Sequence, residues 1–200
     1  MQQGCWMCRK GVSSAASDVY KRQTYADCMS ETALLVVDVQ NDVMAESVNS
    51  DDVVAKISSL VDRAREQGVP VIWVQHSDPG MPRDSDEWQI VAQLVPAPDE
   101  PVVHKTWGDA FVETDLAERL QERGVKRIVL CGAQTDACIR STFYGGIHRG
   151  YDMTLVEDAH TTADMREHGL PYGPDEAIRV LNAQASWTKQ PDACLLYTSP

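Results

Sequence analysis

Ala33-Leu-Leu-Val-Val-Asp38 is the stretch that decides the fold. Five β-prone apolar residues without alternation describe a strand covered on both faces, as in a parallel sheet with helices above and below it. Downstream, Asp51 and Asp52 precede Val53, Val54, Ile57, Leu60, Val61 and Ala64. Spacings of three and four make this an amphipathic helix with acids at its positive end, stopped by Gly68. Val69–Val74 reads as a second buried strand, and Pro101–His104 as a brief one ending at Lys105. The Pro- and Asp-rich stretch between them, 75–100, leaves room for a short helical piece at Trp88–Leu94. Asp115–Arg123 is helical and closes at Gly124, Arg127–Cys131 is another buried strand stopping at Gly132, and Thr135–Arg149 is a helix. The Gly145-Gly146 pair inside that helix points to close packing. Tyr151–Val156 and Asp175–Trp187 supply a last strand and a last helix. Alternating strands and helices predict an α/β fold: three layers, α/β/α, around a mostly parallel sheet.

The chain has 200 residues, 43% hydrophobic, enough for one domain with a sizeable core. Its formal net charge of −12 argues against nucleic acid or anionic lipid as partner, since both are bound through clustered cations. No apolar run approaches the ~20 residues of a membrane span, and the first thirty residues lack the apolar block of a secretory signal. A cytoplasmic protein with a small or neutral partner is the expectation. Composition shifts at both ends: residues 1–28 are basic and aperiodic around VSSAASDVYKRQ, and 194–200 (CLLYTSP) follow a helical pattern abruptly. Both resemble translated adapter sequence or a disordered tail, which places the domain at 29–193, with a natural start near Met29. On that reading a genuine C-terminal segment is missing. Cys5 and Cys8 form a CxxC with no second pair at zinc spacing, and the remaining cysteines show no disulfide framework, which suits a reducing compartment.

In an open parallel sheet the ligand sits beyond the carboxyl ends of the strands. Asp38, His76, Lys105 and the turn before Cys138 all fall there. Singly, each has an ordinary explanation: an Asp capping a loop, a solvated Lys, a Cys acting as a small core residue. Jointly they point to nucleophilic catalysis. Cys131-Gly-Ala-Gln-Thr-Asp-Ala-Cys138 leaves a strand, turns, and opens a helix with Thr135 as N-cap. Cys138 then lies in a first turn, where unpaired N–H groups favour an anion. That setting, with Lys105 near, predicts a thiol lowered below its usual value. Asp38 is the expected base for the thiol proton.

Four segments resemble the isochorismatase-like cysteine hydrolases: Leu34-Leu-Val-Val-Asp-Val-Gln-Asn-Asp42, Val103-His-Lys-Thr-Trp-Gly-Asp-Ala-Phe111, Gly132-Ala-Gln-Thr-Asp-Ala-Cys-Ile-Arg-Ser-Thr142 and Asp158-Ala-His-Thr-Thr162. They occur in the family's order, and the likeness runs from about Thr32 to Trp187. The resemblance implies a Rossmann-like fold, a catalytic triad at Asp38, Lys105 and Cys138, and a cis peptide at Ala133–Gln134. It makes the amides of Gln134 and Cys138 the oxyanion donors. It also implies a homo-oligomer.

The zinc-binding nicotinamidase-like branch carries Asp-x-His and a further His. Here Gln75-His-Ser-Asp-Pro79 reverses the order, so no metal and no other cofactor is expected. An intact cysteine motif favours cleavage of a C–N bond in a small amide or ureido compound, through a covalent thioester. Vinyl ether hydrolysis without the cysteine, and a non-catalytic binding module on the same fold, are the alternatives. Gln40, His76, Trp107, Phe111 and His160 are the expected lining of the substrate pocket, with core packing the competing role for Trp107 and Phe111. Trp88 is expected over the opening or at a subunit contact.

Overall fold

The computed structural model describes residues 31–188. The segments set apart on composition, 1–28 and 194–200, and the cysteines within them lie outside the described residues. Five strands, β1 (Thr32–Val37), β2 (Val71–His76), β3 (Val102–Lys105), β4 (Arg127–Ala133) and β5 (Asp152–Thr161), form one sheet in the order β3-β2-β1-β4-β5. Every pairing is parallel. The central β1 is buried along its whole length, as its unbroken apolar run requires.

Alternate residues of that run serve opposite layers. Leu34 and Val36 face α2 (Ser50–Glu66), which presents Val53, Val54, Ile57, Leu60, Val61 and Ala64. Six such side chains contribute about 1.5–3 kcal/mol each for the larger ones. Leu35 and Val37 face Leu116 and Leu120 of α3 (Leu116–Glu122), Phe143 and Ile147 of α4 (Arg140–His148), and Leu181 and Ala185 of α5 (Pro174–Trp187). The molecule is thus the three-layer α/β/α sandwich, its sheet wholly rather than mostly parallel.

Departures from the sequence reading are confined to short segments. Trp88–Leu94 is not helical, because its backbone bonds to the segment after β1 instead: Asn41 N donates to Gln89 O (2.9 Å) and Val91 N to Val39 O (3.1 Å). A six-residue helix, α1 (Asn41–Glu46), and a 3₁₀ turn at Met165–His168 are too short to show a period in the sequence. β5 runs past Val156 to Thr161 across an irregularity in its pairing with β4, so Glu157 and Asp158 lie inside the strand. Among the described residues, no helix is long and apolar enough to cross a membrane.

Candidate active site

The chain proceeds outward from β1 through β2 to β3, then returns to the other side of β1 as β4. The switch point therefore lies between the carboxyl ends of β1 and β4, the place where such sheets bind ligands. Asp38 follows β1 directly and adopts φ 52°, a left-handed conformation that Asp tolerates better than most residues. Its amide donates to Val74 O of β2 (2.9 Å). Lys105 is the last residue of β3, in register with His76 at the end of β2. Its side chain reaches inward rather than out to solvent, and both Lys105 and Asp38 are 1% exposed.

Gly132 permits the close approach of β4 to β1. It holds φ 124°, and a Cβ there would collide with the carbonyl of Val37. After it the Ala133–Gln134 peptide is cis, and the chain enters a π-helical turn, Thr135–Ile139, that leads into α4. Gln134, not Thr135, is the N-cap. The first bond of π spacing runs from Ile139 N to Gln134 O (3.1 Å), so the Cys138 amide precedes it.

These three arrivals converge on one ammonium group. Lys105 Nζ lies 2.7 Å from Asp38 Oδ2, donates to Cys138 Sγ at 3.1 Å, and stands 3.2 Å from His76 Nδ1. The contact with Asp38 is an ion pair rather than an aligned hydrogen bond, and neither oxygen of that buried carboxylate accepts an aligned bond from a described residue. Burial works against the Lys105 charge, but Asp38 and Cys138 outweigh it and hold the amine above its ordinary value. Cys138 behaves otherwise than expected. Burial, and then the charge of Asp38, push its thiol up to about 12, against which the pull of Lys105 is too small. The surroundings thus favour the charged amine at Lys105 and the thiol over the thiolate at Cys138. A sequence shows that a cation is near, but not how much water has been removed.

Of the expected pocket residues, His76 is half-buried and touches Lys105, whereas the others have structural duties. Gln40 is fully buried: its amide nitrogen donates to His76 O (2.9 Å) and Trp88 O (2.8 Å), and its oxygen accepts from His76 N (2.8 Å). It clamps the loop after β2 to β1 rather than facing a ligand. Phe111 is in the core, stacked on Tyr151 at 5.6 Å. Trp107 is 53% exposed and donates to Glu113 Oε2 (3.0 Å). His160 is buried behind the π-helical turn that carries Cys138, Nδ1 2.8 Å from Thr135 Oγ1 and Nε2 2.9 Å from Asn182 Oδ1. Trp88 is buried against His104, not laid over an opening.

Sequence reasoning gave no role to Asp136, whose carboxylate accepts from Thr162 Oγ1 (2.6 Å) and Tyr172 OH (2.8 Å) and so ties the segment after β5 to the π-helical turn. An acidic residue in the first turn of a helix was the available signal. A cavity of about 680 Å³ lined by Gln121, Lys126, Arg149 and Tyr151 lies at the amino ends of the strands, opposite Cys138.

Comparison with known proteins agrees with this fold. The model of the isochorismatase domain family matches residues 32–172. An uncharacterized isochorismatase family protein of Bacillus subtilis, YddQ, is 33% identical over 144 residues, covering 68% of this chain and 80% of that protein. A streptothricin hydrolase of Streptomyces noursei is 34% identical over 160 residues, 77% of this chain. The matched region spans only 62% of that hydrolase's length. Among solved structures, an isochorismatase from Pseudomonas putida KT2440 superposes with a TM-score of 0.70 at 29% identity, covering 85% of this chain and 89% of its own.

Proposed function

The chain belongs to the isochorismatase family, and from that premise we propose that it is a cysteine hydrolase that cleaves a C–N bond of a small amide or ureido compound. The convergence of Asp38, Cys138 and the buried Lys105 ammonium, from three separate strand ends, is the observation that carries this reading.

Because the thiol rests neutral, attack and proton transfer are coupled. Cys138 Sγ bonds to the substrate carbonyl carbon while its proton passes to Asp38, whose oxygens accept no aligned bond from a described residue. The carbonyl oxygen becomes an oxyanion facing the amides of Gln134 and Cys138, each worth about 3–4 kcal/mol when well placed. Lys105 keeps its positive charge throughout. It offsets the carboxylate at rest and the developing sulfur charge during attack. Collapse of the tetrahedral species breaks the C–N bond, and the nitrogen leaves with the proton held by Asp38. The thioester then meets water. Asp38 takes one water proton as the oxygen attacks, the C–S bond breaks, and that proton returns to sulfur as the acid departs. No redox cofactor enters this balance.

The test is ammonia release across a panel of small amides and ureido acids. Turnover by the wild type and none by Cys138→Ala, with the variant's unfolding midpoint retained, is the expected pair of results. Undiminished release by Cys138→Ala would overturn the reading, since the C–N bond would then be cleaved without the sulfur.

A further inference from the structure

An ammonium has three N–H bonds, and inside a protein each needs an acceptor. At Lys105 one is donated to Cys138 Sγ, while the charge as a whole pairs with Asp38 Oδ2; both partners are members of the proposed chemistry. Another faces His76 Nδ1 at 3.2 Å, a group to which the mechanism above gives no task. Only an imidazole with a lone pair on Nδ1 accepts there, so the remaining ring proton must sit on Nε2. Nε2 lies 3.4 Å from Asp78 Oδ2. Asp78 is itself fixed, since its Oδ1 accepts from Gly80 N (2.8 Å) and Met81 N (2.9 Å).

We infer that His76 and Asp78 form a positioning dyad: Asp78 sets the His76 tautomer, and His76 takes one N–H of Lys105, keeping another aimed at Cys138. This rests on the cysteine hydrolase reading of the site, which it deepens. The orientation matters because lysine is a point charge on a flexible stem, without the fixed fork of an arginine. The ion pair with Asp38 is not an aligned bond and fixes no direction, so without His76 the ammonium can swing away from the sulfur, which costs catalysis even if that ion pair survives.

The groups facing His76 are Lys105 from β3, Asp38 from the end of β1 and Asp78 from its own loop. Burial, followed by the Lys105 charge, holds the imidazole below its usual value of 6.5, and the two carboxylates oppose this without reversing it. The neutral form therefore persists somewhat below pH 6.5. Activity that depends on it is full above that point and declines as pH drops through the lowered value, where a second cation arises beside Lys105.

Three variants test the dyad through kcat, KM, the pH profile and the rate of Cys138 alkylation by iodoacetamide, read on the Cys138 peptide by mass spectrometry. His76→Leu removes the acceptor: kcat is expected to fall about tenfold or more, with KM within about twofold and slower alkylation at fixed pH. His76→Asn puts an amide oxygen near the Nδ1 position. It should recover kcat to within about threefold and lose the acid limb assigned to the imidazole. Asp78→Asn turns an amide N–H toward Nε2 and favours the wrong tautomer, so it should lower kcat in the wild-type background and do nothing in the His76→Asn background.

The inference is overturned if His76→Leu keeps its kcat or loses only in KM, if His76→Asn retains the limb, or if Asp78→Asn acts equally in both backgrounds. Should His76→Leu fail to fold, the other two decide alone, Asp78 being on the exposed loop. Alkylation needs no turnover, so an inactive Cys138→Ala paired with unaltered alkylation in His76→Leu sinks the dyad and spares the hydrolase, whereas an active Cys138→Ala sinks the hydrolase reading itself.

Discussion

At the scale of single residues, the pairing of a buried carboxylate with a neutral thiol makes Asp38 do two opposed things. It is the group able to receive the proton, and its charge is also one reason the proton stays on sulfur. Asp38→Asn separates the two. Without the negative charge the thiol titrates lower and Lys105 is left to pair with a thiolate, so Cys138 alkylation at pH 8 is expected to accelerate, about tenfold for each unit the thiol falls. Hydrolysis by the same variant is expected to drop by about 10²–10⁴, because no base remains to carry the proton to the leaving nitrogen. A reactive but idle cysteine is the signature. Slower alkylation in Asp38→Asn, followed by stopped sampling and peptide mapping, would contradict the charge arrangement.

Individual elements meet at the nucleophile turn, and His160 is the knot that joins them. From β5 it accepts the Thr135 hydroxyl of the turn on Nδ1 and donates from Nε2 to Asn182 of α5, whose amide nitrogen in turn donates to Glu157 O (3.1 Å). Burial holds this imidazole below its ordinary 6.5. The unfolded chain binds the proton more readily, so the contribution of His160 is whole above pH 6.5 and is lost as pH falls from there toward the lowered folded value. His160→Leu strands Thr135 Oγ1 and Asn182 Oδ1 and should cost about 1–3 kcal/mol at pH 7.5. The gap to wild type should narrow toward pH 5, as followed by urea denaturation at several pH values; a constant gap would show that the imidazole is not buried neutral. The sequence could not reveal this duty. His160 stands two residues from Asp158 in a motif, and a motif gives neighbourhood along the chain but not which side of the strand a ring occupies. The same gap put Gln40 in the pocket lining and left Phe111 between pocket and core, where the structure places it in the core. Strands and the longer helices were legible because burial on two faces leaves an unbroken apolar run, and burial on one stripe leaves a period that a helix longer than six residues can display. The turn at Trp88–Leu94 was not, because its shape is decided by partners fifty residues earlier, Val39 and Gln40 among them.

Across the whole molecule, the site sits where the strand order reverses, between β1 and β4, and that placement was legible for a physical reason. Parallel strands all end on one side, so polar residues that terminate apolar runs must gather there whatever the loops do. Asp38, Lys105 and Cys138 followed from that rule. The depth of their burial did not, because it depends on the loops that close over the strand ends. That depth carries a stability penalty which the two hydrophobic layers must offset. A buried ion pair recovers the desolvation of its partners poorly, and an apolar replacement of similar volume is often as stable or more so. Removing one partner is the worst case, since it leaves a bare charge inside. Lys105→Met alone should therefore destabilise the protein by about 3–5 kcal/mol, with Asp38 buried and unpaired. Adding Asp38→Asn should restore the double variant to within about 1 kcal/mol of wild type, or above it, while hydrolysis remains absent. Guanidinium denaturation of the four proteins reads both the single losses and their coupling. A double variant as unstable as Lys105→Met would mean that the fold, and not the chemistry, requires the pair.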